Sequence, residues 1–171
     1  MKNSFNSMQA FIISIDMKKH TNKIIGISII FLIVSCSLES VFSLPNDEKI
    51  KTELIGEWFY GKNSEAIIRI EKNNKKTYKL ILDENGKTEE LIAFSKTING
   101  FNIMILINDF DGDSIYEYYG FTIDDKTLTY SEVNKNFRES DFSSETDLLN
   151  FFQKNVTKKD FFINPNVLKR N

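Results

Sequence analysis

Hydrophobic and polar positions fall into distinct regimes along the chain. Lys18, Lys19, His20 and Lys23 precede an apolar run from Ile24 to Val34, Ile-Ile-Gly-Ile-Ser-Ile-Ile-Phe-Leu-Ile-Val. That run is about half of the ~20 residues a membrane-spanning helix needs. From Asp47 onward the pattern changes to short runs broken by turn residues. Asp47 to Thr52 reads as one helical turn capped by Asn46 or Asp47. Strand-like runs follow at Leu54–Tyr60, Ala66–Glu71, Thr77–Leu82, Glu90–Thr97, Phe101–Ile107, Ile115–Ile123 and Leu128–Val133. In the second, Ala66, Ile68 and Ile70 share one face; in the third, Tyr78, Leu80 and Leu82 do, with Lys79 and Ile81 opposite. Asp83-Glu84-Asn85-Gly86, Asn99-Gly100 and Asp124-Asp125-Lys126 punctuate them, and Asn-Gly is a strong hairpin signal. Residues 143–156 switch to helical period: Leu148, Phe152 and Val156 share a face, Ser144 with Asp147 resembles a capping box, and Lys158 and Lys159 suit the C-terminal end. A last short strand is expected around Phe161 to Ile163.

No helix of crossover length separates the strand-like runs, so a parallel sheet is disfavoured and an antiparallel meander is expected. A meander of this size removes its edges by curling into a barrel. The fold class read from the sequence is therefore mainly β, an antiparallel meander closing into a small barrel with one C-terminal helix packed on it. The organisation expected is an upstream extension over 1–16, with the true start at Met17, an export signal over 17–35, a tether over 36–46 and a folded domain over 47–171.

The basic cluster followed by a short apolar run has the form of a secretory signal peptide. It ends in Ile33-Val34-Ser35-Cys36, which resembles the bacterial lipobox. That resemblance implies cleavage before Cys36, acylation of its thiol and attachment to a membrane through the N-terminal lipid. Two alternatives stay open: an uncleaved anchor with an ordinary cysteine, and soluble secretion, to the periplasm or outside, after Val41-Phe42-Ser43. Ser37 directly after the cysteine resembles the outer-membrane sorting pattern, should the cell have two membranes.

Leu54-Ile55-Gly56-Glu57-Trp58 opens the meander just after a possible helical turn. It resembles the Leu-x-Gly-x-Trp start of lipocalin-like proteins. The resemblance implies a lipocalin-like barrel in which Gly56 allows close packing at the closed end, Trp58 plugs that end and a basic residue near the last strand covers the Trp, a part assigned to Arg138. It implies an interior, not a ligand.

Composition narrows the chemistry. With 171 residues, 41% of them hydrophobic, the chain is long enough for one ordinary domain with a core. The formal net charge of -2 and the lack of a basic cluster with interleaved aromatics argue against nucleic acid as a partner. One cysteine allows no intrachain disulfide. The single histidine, His20, and Cys36 both lie in the N-terminal segment, so the domain after it lacks the groups for Ser-His-Asp, Cys-His or His-ligated zinc chemistry. No Gly-rich phosphate loop is present. A carboxylate-based hydrolase is what remains of the enzyme classes, and no acidic pair is marked out for it; a non-enzymatic role is the expectation.

One acidic constellation stands out. Asp109, Asp111, Asp113 and Glu117 occupy relative positions 1, 3, 5 and 9, a spacing that resembles the calcium loops of some β-rich repeat proteins. Ser114 stands where an EF-hand needs Gly, and an Asp/Gly hairpin turn is the competing reading. No other cofactor is indicated. Ile115 to Phe121 is dense in tyrosine; Tyr116 and Tyr118 make either an exposed contact stripe or a core face. The functional expectation is an envelope lipoprotein that binds rather than catalyses. Either a small apolar ligand occupies the barrel, or the barrel is a scaffold for a protein partner in the envelope or at the cell surface. A large apolar cavity favours the first, and a packed interior with an exposed aromatic patch the second.

Overall fold

The computed structural model describes residues 37–61, 66–84, 86–110 and 112–170. The upstream extension, the export signal, Cys36, Asn85 and Asp111 lie outside the described residues. The strands are β1 (Leu38–Ser40), β2 (Gly56–Tyr60), β3 (Ala66–Lys72), β4 (Tyr78–Glu84), β5 (Lys87–Ile98), β6 (Phe101–Phe110), β7 (Asp113–Asp124), β8 (Thr127–Val133) and β9 (Phe162–Lys169). Helix α1 (Glu145–Asn155) lies in the β8–β9 connection, and short 3-10 turns occupy Thr52–Leu54 and Lys135–Phe137. Strands β2 to β9 pair antiparallel in chain order. Pairing of Phe59 with Lys169 and Tyr60 with Leu168 then returns β9 to β2 and closes an eight-stranded barrel. This pairing joins the first and last strands of the meander, which would otherwise be its two edges. At Asn99-Gly100 both residues have positive φ (51° and 85°), the geometry that makes this dipeptide a two-residue hairpin turn.

Two apolar layers hold the domain. The inward residues of the strands, among them Trp58, Ile70, Tyr78, Leu80, Leu106, Tyr119, Phe121, Leu128 and Leu168, form one cluster inside the barrel. A second lies outside it, between the wall of β5, β6 and β7 and the loop-helix segment: Phe94, Ile103, Ile105 and Tyr118 pack against Leu148, Phe152, Val156 and Phe161. This explains why Ile103 to Ile107 is apolar at every position, unlike a strand with one wet face. The α1 expectation holds closely. Ser144 is the N-cap and its hydroxyl accepts from the Asp147 amide at 3.1 Å, while Leu148 and Phe152 are fully buried.

The structure corrects the element boundaries read from the sequence in three places. Residues 37–46, expected as a tether, belong to the domain. β1 pairs with β7 in the register Leu38↔Tyr118, Glu39↔Glu117 and Ser40↔Tyr116, and Leu38 and Leu44 are buried in the outer core. β7 is long enough to pair with β8 through Tyr119–Asp124 and with β1 through the adjoining residues. The expected helical turn at Asp47–Thr52 is replaced by the 3-10 turn at Thr52–Leu54. Asp47 and Glu48 instead meet Lys96 at 2.6 Å and 3.5 Å, and Glu48 also accepts from the Thr97 amide. Finally, β9 extends to Lys169, well beyond the short strand expected around Phe161 to Ile163. Tyr130 pairs with Asn166 and Glu132 with Ile163, so Asn164 and Pro165 together oppose Ser131. This is a bulge, with Asn164 at φ 51°, and a bulge is where a strand accommodates proline.

Candidate ligand-binding site

The hairpins alternate between the two ends of the barrel. One end is closed by the start of β2, the Thr52–Leu54 turn and the last residues of β9. Trp58 is fully buried there, and its indole N–H donates to the Leu54 carbonyl at 2.8 Å. The guanidinium of Arg170 lies 4.2 Å from the centre of the Trp58 ring, and Nη2 donates to the carbonyls of Glu53 and Ile55, each at 2.9 Å. Gly56 has φ 139°, and a Cβ there would stand 3.3 Å from Arg170 Nη2, so both its conformation and the approach of the guanidinium favour glycine. Gly56 and Trp58 thus sit where the resemblance implied. Arg138 does not. It lies 5.8 Å over Phe142, pairs with Asp141 at 3.4 Å and donates to the Glu39 carbonyl. The basic cover comes from the end of β9, because β9, not the 3-10 turn after β8, returns the chain beside β2.

Between that plug and the opposite end the barrel holds a cavity of about 370 Å³ that is open to solvent. This lies in the range of small-molecule sites. Its wall is mainly aliphatic and aromatic, from Ile68, Ile70, Leu80, Leu82, Leu91, Met104, Leu106, Phe121, Leu128 and Leu168. The polar groups of the lining are Asn108 on β6, Glu117 and Tyr119 on β7, Tyr130 on β8, Glu39 on β1 and Glu89 on β5. The hydroxyls of Tyr60 and Tyr130 hydrogen-bond to each other.

Glu117 is the buried carboxylate of this cavity, with only 2% of its surface exposed. One oxygen accepts from the Asn108 side-chain amide, and the other accepts from the Ser37 hydroxyl at 3.1 Å and the Tyr119 hydroxyl at 3.0 Å. Burial pushes its pKa up, and the negative Glu39 opposite adds to the rise, while the three hydrogen bonds work the other way. The same desolvation raises Tyr119 and Tyr130 far above the ordinary phenol range, so both act as neutral hydroxyls.

Asp109 and Glu117 of the calcium spacing do not come together. Asp109 pairs with Ser114, and its carboxylate accepts from the Ser114 hydroxyl at 2.6 Å. Glu117 is three residues beyond Ser114, an odd step, so strand alternation puts it on the opposite face of the sheet, inside the barrel. Glu117 pairs with Leu106, away from the tip where Asp113 pairs with Phe110, and Asp111 is outside the described residues. No metal-binding cluster of three ligands forms among the described residues. Of the two readings of Tyr116 and Tyr118, the structure shows a core face, on the outer side of the barrel wall. Tyr118 is fully buried under Phe152, and its hydroxyl donates to the Phe42 carbonyl; Tyr116 packs against the same outer cluster. Among the described residues the exposed large apolar side chains are Val41, Phe101 and Val167.

Sequence reasoning missed Glu117 as an interior residue although the signal was present. Ile115, Glu117, Tyr119 and Phe121 are spaced by two, so an inward face for the tyrosine-rich strand carries a carboxylate with it. It missed Ser37 and Glu39 because nothing local marks Leu38–Ser40 as a strand. No protein-family model, curated protein or solved structure matches the chain.

Proposed function

We propose that the protein is a membrane-anchored envelope lipoprotein whose barrel binds a small apolar ligand and performs no catalysis. The observation that carries this reading is the 370 Å³ cavity, walled by aliphatic and aromatic side chains and plugged at one end by Trp58 under Arg170. An interior built only for stability fills with side chains at close packing; a cavity of this size forgoes that packing. The scaffold alternative calls for a filled interior and an aromatic surface stripe, and Tyr118 lies under α1 instead. Anchoring rests on Ile33-Val34-Ser35-Cys36. It has a structural consequence: with Cys36 as the acylated terminus, the next residue is Ser37, fully buried against Glu117, so the lipid joins the barrel with no tether between them.

The test is titration with a neutral fluorescent apolar probe, N-phenyl-1-naphthylamine, against the full-length protein and its Leu106→Trp variant, which fills the cavity from β6. Saturable one-to-one binding that the variant loses while keeping its β-type circular dichroism supports the proposal. No saturable signal, or a signal the filled variant retains, refutes a ligand site inside the barrel.

A further inference from the structure

The polar lining of the cavity has one sign. Three glutamates contribute to it, Glu39, Glu89 and Glu117, and among the described residues no lysine, arginine or histidine does. None of the three is in an ion pair among the described residues, although Lys79, Lys96, Arg69 and Arg138 all pair with acids elsewhere on the domain. The strand register sharpens this asymmetry. Glu39 on β1 stands directly opposite Glu117 on β7, on the inward face. Like charges directly opposed across strands destabilise a sheet, and here one of the two is almost wholly removed from water. The three donors on Glu117 are neutral side chains, so they orient the carboxylate without cancelling its charge.

Resting on the ligand-binding reading above, we propose that the cavity selects amphiphiles with a cationic head, an aliphatic or aromatic body joined to an ammonium group, and discriminates against carboxylate lipids. The apolar body lies among Ile70, Leu80, Leu106, Phe121 and Leu128. The ammonium sits between Glu117 and Glu39, with Glu89 adding negative potential from β5. A positive head relieves the Glu39–Glu117 repulsion and supplies the counter-charge that Glu117 lacks. A fatty-acid head brings a further negative charge into a partly desolvated space with no cation to meet it, where charge interactions are weakly screened. Burial is the main cause of the upward shift of the Glu117 pKa, and the opposed Glu39 charge adds to it.

The experiment separates the head-group claim from ligand binding itself. Dodecylamine, dodecanol and dodecanoate share one chain length and carry a cationic, a neutral and an anionic head at neutral pH. Each is titrated calorimetrically, below its micellar concentration, into the full-length protein, the Glu117→Gln variant and the exposed Glu39→Gln/Glu89→Gln double variant. The amine is expected to bind at least tenfold tighter than dodecanoate, about 1.4 kcal/mol, with the alcohol between them. Both sets of substitutions are expected to narrow that ratio; the double variant keeps the test valid should Glu117→Gln fold poorly. Equal binding of all three, or tighter binding of dodecanoate, overturns the cationic preference and leaves the apolar site standing. An amine preference unchanged in both variants also overturns it. Binding of none of the three overturns the ligand-binding reading together with this one.

Discussion

Replacing Arg170 by alanine tests how the barrel is closed. The guanidinium over Trp58 at 4.2 Å has cation–π geometry, worth roughly 0.5–2 kcal/mol depending on desolvation. Its two hydrogen bonds to the Glu53 and Ile55 carbonyls, both at 2.9 Å, contribute about 0.5–1.5 kcal/mol each, and the lower end applies because the group is partly solvated. These contributions are not independent, so Arg170→Ala is expected to cost about 1.5–3 kcal/mol. Arg138→Ala removes a mostly exposed pair with Asp141 and a distant contact with Phe142, and is expected to cost about 0.5 kcal/mol or less. Trp58 is the single tryptophan, so its fluorescence reports on the plug alone. Urea unfolding followed by fluorescence gives the stability of each variant, and acrylamide quenching of the native state gives access to the ring. Arg170→Ala should raise quenching and lower the midpoint, while Arg138→Ala should leave both near the parent. Equal small effects from the two, or a larger one from Arg138→Ala, would show that the plug does not depend on the cation placed over it. Trp58→Ala should cost more, about 3–5 kcal/mol, since it empties a fully buried aromatic site.

Further outcomes follow from the same geometry. A Cβ on Gly120 would stand 2.4 Å from two Phe162 ring atoms, so Gly120→Ala should lose about 1–3 kcal/mol in denaturant unfolding, partly restored by Phe162→Ala; a change below about 0.5 kcal/mol would refute that contact. Because the folded-state pKa of Glu117 lies above the ordinary glutamate value, the native state holds its proton where the unfolded chain has released it. Stability should therefore fall as pH rises from the ordinary value to the raised one and then level off. Glu117→Gln, compared with the parent across that window by thermal unfolding, should remove this component of the slope, and an unchanged slope would assign it to other groups. Cys36→Ser should abolish acylation and leave unprocessed precursor; an intact mass placing an unacylated terminus at Leu44 would favour cleavage after Ser43.

The local chemistry of the chain determined the strands of the meander and its helix. Period-two runs between Ala66 and Val133, the Asn99-Gly100 turn and the Ser144 cap are decided within a few residues, by steric limits on φ and by the need to satisfy backbone groups. The same local logic marked Gly56 and Trp58, since a glycine two residues before a tryptophan at the head of a strand carries its meaning in place. Tertiary structure decided everything that depends on which strand meets which. Arg170 rather than Arg138 covers Trp58 because barrel closure pairs β9 with β2, a contact more than a hundred residues apart in sequence. Leu38 to Ser40 become a strand only because β7 outlasts β8 and offers free backbone groups that β1 satisfies. The spacing of Asp109, Asp113 and Glu117 suggested one ligand set, yet alternation across β6 and β7 sends Asp109 outward and Glu117 into the cavity. Adjacency along the chain fixes only local geometry. The cavity, its buried carboxylate and the opposed Glu39 are products of closure, and they are the parts on which the proposed function rests.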